Sequence, residues 1–99
     1  MFVHAVYFWL KPGLTADQLK TFDAGVRSLL TIPGVRLAHV GKPAPTNRPV
    51  IERSYTTSLV VSFDDEAAQE VYQVHPIHDR FRDACAGFWS RVTIYDSLG

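Results

Sequence analysis

The first strand that the sequence predicts is apolar on both of its faces. Residues 3–11 are rich in β-branched and aromatic side chains and are followed by Pro12 and Gly13, which predicts a strand that stops there. Side chains alternate between the two faces of a strand. One face therefore carries His4, Val6, Phe8 and Leu10, and the other carries Val3, Ala5, Tyr7 and Trp9. We expect helices to cover one face and, in so short a chain, a second subunit to cover the other.

Helical and extended patterns alternate along the rest of the chain. Thr15 and Gln18 form a capping-box pattern that predicts the start of the first helix. The further elements are a strand over 35–42, a loop over 43–53, a strand over 54–63, a helix to about residue 73, a helix over 76–86 and a strand over 89–96. This order predicts an α+β fold, a ferredoxin-like βαββαβ subunit with an antiparallel four-stranded sheet and helices on one face. Two such sheets packed face to face would form a dimeric α/β barrel.

The composition indicates a single domain, residues 1–99, that associates with a second copy. The chain is 46% hydrophobic and 12% aromatic, although 99 residues bury only a modest fraction of their surface alone. We therefore expect a homodimer. The ten basic and ten acidic side chains balance and form no run of either sign. Neither nucleic acid nor an anionic membrane surface is therefore an expected partner.

Two further features bear on the compartment. Cys85 is the only cysteine, which excludes an internal disulfide and suits a reducing compartment. Residues 1–10 lack a basic leader and a small-residue cleavage site. They are also far shorter than the ~20 apolar residues that span a bilayer. We therefore expect a cytoplasmic protein.

Residues 71–78 place a tyrosine and two histidines around a proline. Pro76 suits the first position of a helix, so we expect one helix to end before His75 and another to begin at Pro76. His78 then lies in the first turn, where the helix dipole favours the neutral imidazole that a general base needs. Tyr72 lies across the bend, where its phenol could donate a hydrogen bond to a substrate carbonyl or enolate. The alternative is that His75 caps a helix and Tyr72 only packs.

His4 is the other polar candidate for a pocket near Tyr72 and His78. It shares its strand face with apolar neighbours, so it is either a hydrogen-bonded core histidine or a polar group in an apolar cavity. The residues expected to line the pocket are His4, His75, Val6, Phe8, Phe81 and Trp89. The expected ligand is a small apolar, phenolic or carbonyl compound.

No metal or cofactor is expected from the motifs of the chain. His75 and His78 have a spacing that metal ligands can have, but Pro76 interrupts the helix between them. No cysteine pair and no HExxH motif accompanies them. Phosphate-binding glycine loops, a GxSxG elbow and a dinucleotide fingerprint are absent as well.

Taken together, several motifs resemble the stress-responsive A/B barrel domain family. The most specific is the Tyr-x-x-His-Pro-x-His stretch over 72–78, joined to the closing strand over 88–96, with His4 in the first strand. The resemblance covers nearly the whole chain. It implies a ferredoxin-like subunit and a homodimeric α+β barrel.

One branch of that family, the plant polyketide cyclases, is similar to this chain around Tyr72 and His78. Its members perform a cofactor-free, aldol-type ring closure. The resemblance implies that His78 is a general base, that Tyr72 hydrogen-bonds the oxygen where charge develops, and that His4 lines the pocket. The chain departs from that branch at Gly25, where a pocket tyrosine is expected.

Three functions follow as alternatives. The leading one is a homodimeric barrel with a small apolar pocket and acid/base chemistry on a carbonyl compound. The second is a non-enzymatic, stress-linked binding or structural dimer. The third is a haem- or quinol-type monooxygenase of the wider class of dimeric barrels, with His4, His75 and His78 as candidate ligands.

Overall fold

One antiparallel sheet of four strands, covered by helices, organises the chain. The computed structural model describes all residues, 1–99. The strands are β1 (Phe2–Leu10), β2 (Ala38–Gly41), β3 (Thr57–Phe63) and β4 (Trp89–Leu98). The helices are α1 (Ala16–Ser28), α2 (Glu66–Gln73) and α3 (Pro76–Cys85), with short 3-10 turns at Leu29–Thr31 and Ala86–Phe88. The strand order β2-β3-β1-β4 makes β1 a central strand. The predicted ferredoxin-like α+β subunit is confirmed.

Each helix begins at a side chain that caps its free backbone N–H groups. Thr15 and Gln18 form the predicted capping box at α1, with reciprocal bonds of 3.1 and 2.8 Å. Asp65 accepts a hydrogen bond from the backbone of Ala68 at the start of α2. His75 caps α3, and Pro76 follows at the first helical position. The cap at His75 and the proline after it fix the bend between α2 and α3.

Two strands are shorter than predicted. The predicted strand over 35–42 is regular only over 38–41, although the backbones of Arg36 and Leu37 still bond that of Ser62, and the Leu37 N–H bonds the Ser62 hydroxyl at 3.0 Å. The predicted strand over 54–63 begins at Thr57. Just before it, the Thr56 N–H bonds the Phe8 carbonyl at 2.7 Å and the Thr56 hydroxyl accepts the Leu10 N–H at 3.0 Å. Hydroxyl side chains that bond the backbone at the end of a strand give no periodic signal in a sequence.

The core lies between the sheet and the helices. On β1 the predicted alternation is observed, because Val6 and Phe8 are buried while their odd-numbered neighbours are only partly covered. Facing residues from β3 and the helices complete the core, chiefly Phe22, Val26, Leu59, Val61, Phe63 and Phe81. No helix of this chain combines the length and apolarity that crossing a membrane requires.

Helices α1 and α3 approach closely at Gly25. A Cβ atom there would lie 2.7 Å from Cys85 Sγ and 3.1 Å from a ring carbon of Phe81. Both neighbours are buried, so neither can move aside freely. This packing excludes a side chain at Gly25.

Replacing Gly25 by alanine should therefore destabilise the fold. Overpacking typically costs about 1–3 kcal/mol, which outweighs the roughly 1 kcal/mol by which alanine is favoured over glycine in a helix. Urea denaturation measures the loss in free energy of unfolding. In a Cys85→Ala background the closest contact is gone and the cost should fall clearly. Equal costs in both backgrounds would show that the contact with Cys85 is not the cause.

Candidate functional site

A cavity of about 170 Å³ lies between the helix-facing side of the sheet and helix α3. Its polar lining side chains include His4 from β1, Tyr72 from α2 and His78 from α3. The apolar wall includes four residues that the sequence predicted for a pocket, Val6, Phe8, Phe81 and Trp89. The fold therefore brings seven of the eight candidate residues to one place.

The ring of Tyr72 packs against both histidines of the cavity. Its ring centroid lies 5.8 Å from that of His4 and 5.1 Å from that of His78, with both pairs edge to face. The side chain is fully buried, and its hydroxyl oxygen has no hydrogen-bond partner in the protein. Burial raises the pKa of Tyr72 well above its ordinary value, so the side chain remains a neutral phenol that can donate a hydrogen bond.

His78 lies in the first turn of α3, as predicted. Its Nδ1 atom is buried and has no hydrogen-bond partner. Burial lowers the pKa of His78, and the nearby cation Arg82 and the ring of His4 lower it further. The imidazole is therefore neutral at neutral pH, the state in which a histidine can accept a proton.

His75 is not part of the cavity wall, which departs from the prediction. Its Nδ1 atom accepts a hydrogen bond of 3.1 Å from the backbone N–H of Ile77 and so caps α3. The residue before Pro76 is extended, as expected, and this places the imidazole over the free N–H groups of the helix. His75 thus takes the role of a helix cap, and the cavity holds two histidines.

His4 is buried in the cavity wall and paired with an acid. Its exposed fraction is 3%, and its Nδ1 atom lies 2.5 Å from Oδ1 of Asp96 on the adjacent strand. The two residues face each other directly in the β1–β4 register, so their side chains share the helix-facing side of the sheet. Asp96 was not predicted as a site residue. Its position follows from the register, which hydrophobic alternation alone does not determine.

Further residues of the cavity were missed as well. Arg82 lines the cavity while half exposed and pairs with Asp79 at 3.3 Å. Val92 and Ile94 of β4 also line the cavity, with exposed fractions of 39% and 49%. The cavity is therefore open to solvent along β4. The guanidinium group of Arg82 is a further polar group of its lining.

The described side chains form no group of three or more His, Cys, Asp or Glu placed to hold a metal ion. Of the histidines considered as ligands, His4 is bonded to Asp96 and His75 to the backbone of α3. Only His78 has a free Nδ1 atom. The Nδ1 atoms of His4, His75 and His78 thus bond a carboxylate, a backbone N–H and no partner, respectively.

The family is decided by a match over nearly the whole chain. Residues 2–98 match the family model described as Stress Responsive A/B Barrel Domain, abbreviated Dabb. The chain belongs to this family. The resemblance inferred from the motifs is thereby confirmed.

Individual Dabb-like proteins agree with this membership. The chain is similar to olivetolic acid cyclase from Cannabis sativa, with 27% identity over 94 residues, 94% of this chain and 91% of that protein. A Dabb family protein with a ferredoxin-like fold from Mesorhizobium loti is 26% identical, with a TM-score of 0.78 over 99% of this chain and 95% of that chain. A dimeric ferredoxin-like protein of unknown function from Thermobifida fusca shares the fold at 19% identity, with a TM-score of 0.78 over 99% and 90% of the two chains.

The lowered pKa of His78 predicts a pH dependence of stability. The unfolded chain takes up a proton near the ordinary pKa of 6.5, whereas the folded protein does so only at lower pH. Between these two values the unfolded state binds more protons, so the free energy of unfolding falls as the pH falls through this window. Urea denaturation at several pH values should show this loss, and His78→Gln should reduce it. The exposed His39 provides the control, since His39→Gln should keep the loss. An unchanged slope in His78→Gln would contradict the prediction.

Proposed function

We propose that this Dabb domain binds a small carbonyl compound in the cavity and performs cofactor-free acid/base chemistry on it. The observation that carries the proposal is a pair of buried polar atoms, Tyr72 Oη and His78 Nδ1, that lack partners in the protein. Buried polar groups are nearly always hydrogen-bonded, and an unsatisfied one typically costs about 1–3 kcal/mol. Both atoms belong to side chains that line one cavity, and a ligand bound there would explain them by supplying their partners.

The proposed roles follow from the protonation states of the two side chains. His78, neutral at neutral pH, removes a proton from the carbon next to the carbonyl. Tyr72, a phenol whose pKa is raised by burial, donates a hydrogen bond to the oxygen on which negative charge develops. The apolar residues around it strengthen this interaction because they lower the local dielectric constant.

The cavity volume limits the part of the ligand that enters. About 170 Å³ is the space of roughly five or six water molecules, each of which takes about 30 Å³ in the liquid. Pockets for drug-sized ligands usually measure about 300–1,000 Å³. We therefore propose that a small compound, or the reactive end of a larger one, binds here with its apolar part against Phe8, Phe81 and Trp89.

The assembly proposed for the chain is a homodimer formed through the other face of the sheet. That face carries Tyr7, Trp9 and Tyr95, which come from β1 and β4, and Tyr95 is 65% exposed. Tyr55 packs edge to face on Tyr7 at 5.0 Å and extends this aromatic surface. The dimeric protein from Thermobifida fusca, with the same fold, supports this assembly. A cytoplasmic location is proposed as well, since a single buried, unpaired cysteine suits a reducing compartment.

A purely structural role for Tyr72 and His78 would predict something different. Both side chains would then make inward hydrogen bonds, and no cavity would lie beside them. The free polar atoms and the adjacent cavity favour a ligand site over that alternative. The non-enzymatic binding protein remains the result expected if ligands bind without turnover.

Ligand binding should depend on His78. A thermal-shift screen with small phenolic, polyketide-like and fatty carbonyl compounds should find a class that stabilises the wild type. A ligand at about 100 times its dissociation constant stabilises the folded state by about 2.7 kcal/mol. The shift should be lost or strongly reduced in His78→Ala and kept in the control His39→Ala, which alters an exposed histidine. Equal shifts in all three proteins would place the ligand elsewhere.

Turnover of such a compound should require both polar residues. General acid–base catalysis typically contributes about 10²–10⁴-fold, so His78→Gln should lower kcat by at least about 100-fold. Removing one hydrogen-bond donor to a developing oxyanion costs about 10²–10³-fold, which is the loss expected for Tyr72→Phe. Circular dichroism checks that both variants fold. Full activity in a folded His78→Gln variant would refute the proposed mechanism, and ligand binding without turnover in the wild type would favour the binding protein.

A further inference from the structure

Arg82 is a residue of the cavity to which the proposed chemistry gives no role. Its side chain lines the cavity and is nevertheless 53% exposed, so it lies at the rim where the cavity meets solvent. No aspartate or glutamate belongs to the lining, and Arg82 is its only arginine or lysine. A guanidinium group is not deprotonated in proteins. The rim of a largely apolar cavity thus carries one permanent positive charge.

Helix α3 places this charge next to the proposed base. His78 and Arg82 are four residues apart in α3. Residues with that spacing lie on one face of a helix, with their Cβ atoms about 5–6 Å apart. The guanidinium group is close enough to lower the pKa of His78. A ligand whose carbonyl group lies beside His78 can therefore reach Arg82 with a short chain.

The ion pair with Asp79 leaves most of the guanidinium group available. Nη2 of Arg82 donates to Oδ1 of Asp79 at 3.3 Å, which is long for a charge-assisted hydrogen bond. Both side chains are more than half exposed, and ion pairs of that kind contribute little. Nε and Nη1 of Arg82 take no part in this pair. The planar donor fork that binds carboxylates through two parallel hydrogen bonds is therefore free to accept a ligand.

A carboxylate suits the rim better than other anions. It would lie at the open edge beside Val92 and Ile94, where it keeps part of its hydration, whereas a charge deep in the cavity would lose it at a large cost. The side chain of Gln73 also lines the cavity and offers an uncharged N–H donor. One guanidinium group matches the single charge of a carboxylate. A phosphate monoester carries about two charges at neutral pH and would leave one of them uncompensated.

We propose that the rim of the cavity is a carboxylate-binding subsite in which Arg82 binds the anion, and that the ligands of this domain are small oxo acids. The inference rests on the proposed function, because it places the carbonyl group of the ligand at Tyr72 and His78, and it adds the class of compound. The carboxylate stays at the rim, and the alkyl part contacts the apolar wall. One helical turn, about 5.4 Å, separates His78 from Arg82, which favours a short chain between the two groups.

Matched pairs of acid and ester test the charge of the ligand. The probes are 2-oxopentanoate and 4-oxopentanoate, each compared with its methyl ester, which keeps the carbonyl group and has no charge. Dissociation constants are measured by titration calorimetry at neutral pH for the wild type, Arg82→Gln, Arg82→Lys and the control Arg80→Gln. Arg80 is exposed on the same helix and does not line the cavity, so its replacement changes the net charge equally.

The expected result is a preference for the acid that depends on Arg82. For at least one pair, the wild type should bind the acid about tenfold or more tightly than the ester, which is the usual contribution of a hydrogen bond to a charged group. This preference should disappear in Arg82→Gln and persist in Arg80→Gln. Arg82→Lys should keep part of it, because the charge remains while the paired donors are lost. Added salt should weaken binding of the acid and not of the ester, since half-exposed charges are screened.

The ratio of the two dissociation constants separates direct binding from an indirect role. If Arg82 acted only through His78 or through the fold, Arg82→Gln would change binding of acid and ester by the same factor. A preference that survives in Arg82→Gln, or that is lost equally in Arg80→Gln, overturns the inference.

The other outcomes distinguish this inference from the proposed function. A wild type that binds the esters as tightly as the acids, with binding lost in His78→Ala, overturns the subsite and leaves the proposed function standing. Acid binding that depends on Arg82 but gives no α-proton exchange in deuterated water supports the subsite and counts against the acid/base chemistry. A wild type that binds none of the four compounds overturns the subsite, and the wider ligand screen then decides the proposed function.

Discussion

The central strand β1 is the element on which both the fold and the site depend. It is hydrogen-bonded to β3 on one side and to β4 on the other, so its side-chain alternation is imposed on the whole sheet. Val6 and Phe8 enter the core, Tyr7 and Trp9 go to the open face, and His4 goes to the cavity wall. A register slip of one residue would exchange these sets, so the pairing that buries the core also places the imidazole.

The candidate site contains two polar atoms that the fold leaves unsatisfied. Tyr72 is fully buried and packs against Phe63 as well as against the histidines, so its ring contributes to the core. Its hydroxyl and Nδ1 of His78 nevertheless lack partners. A phenylalanine at position 72 would keep most of the packing without the cost of burying a hydroxyl group. These polar atoms therefore add nothing to the stability of the fold, a pattern that is common at functional sites and that supports the proposed ligand site.

The fold could be predicted from local patterns, whereas the cavity could be predicted only in part. Alternation along β1, the capping box at Thr15 and the proline at 76 are local signals, and each produced the expected element. Tyr72 and His78 were recognisable because the bend between two helices brings them together. Asp96 was not, because it meets His4 through a strand register between residues 92 positions apart. A histidine directly before Pro76 can either line the pocket or cap the following helix. The sequence allows both roles, and the structure shows that His75 is a helix cap.

The two histidines of the cavity differ in their surroundings, and this difference gives identical side chains different acid/base properties. His78 has no partner at Nδ1, and its pKa is lowered by burial and by nearby positive charge. His4 is equally buried but bonded to a carboxylate, so its tautomer and ring orientation are fixed and a positive charge on it would be compensated. Pairs of titratable groups in different environments are typical of acid/base sites, because one can accept a proton while the other holds one. The hydrogen bond between β1 and β4 therefore makes the two histidines of the cavity chemically different, which is the condition that the proposed acid/base chemistry requires.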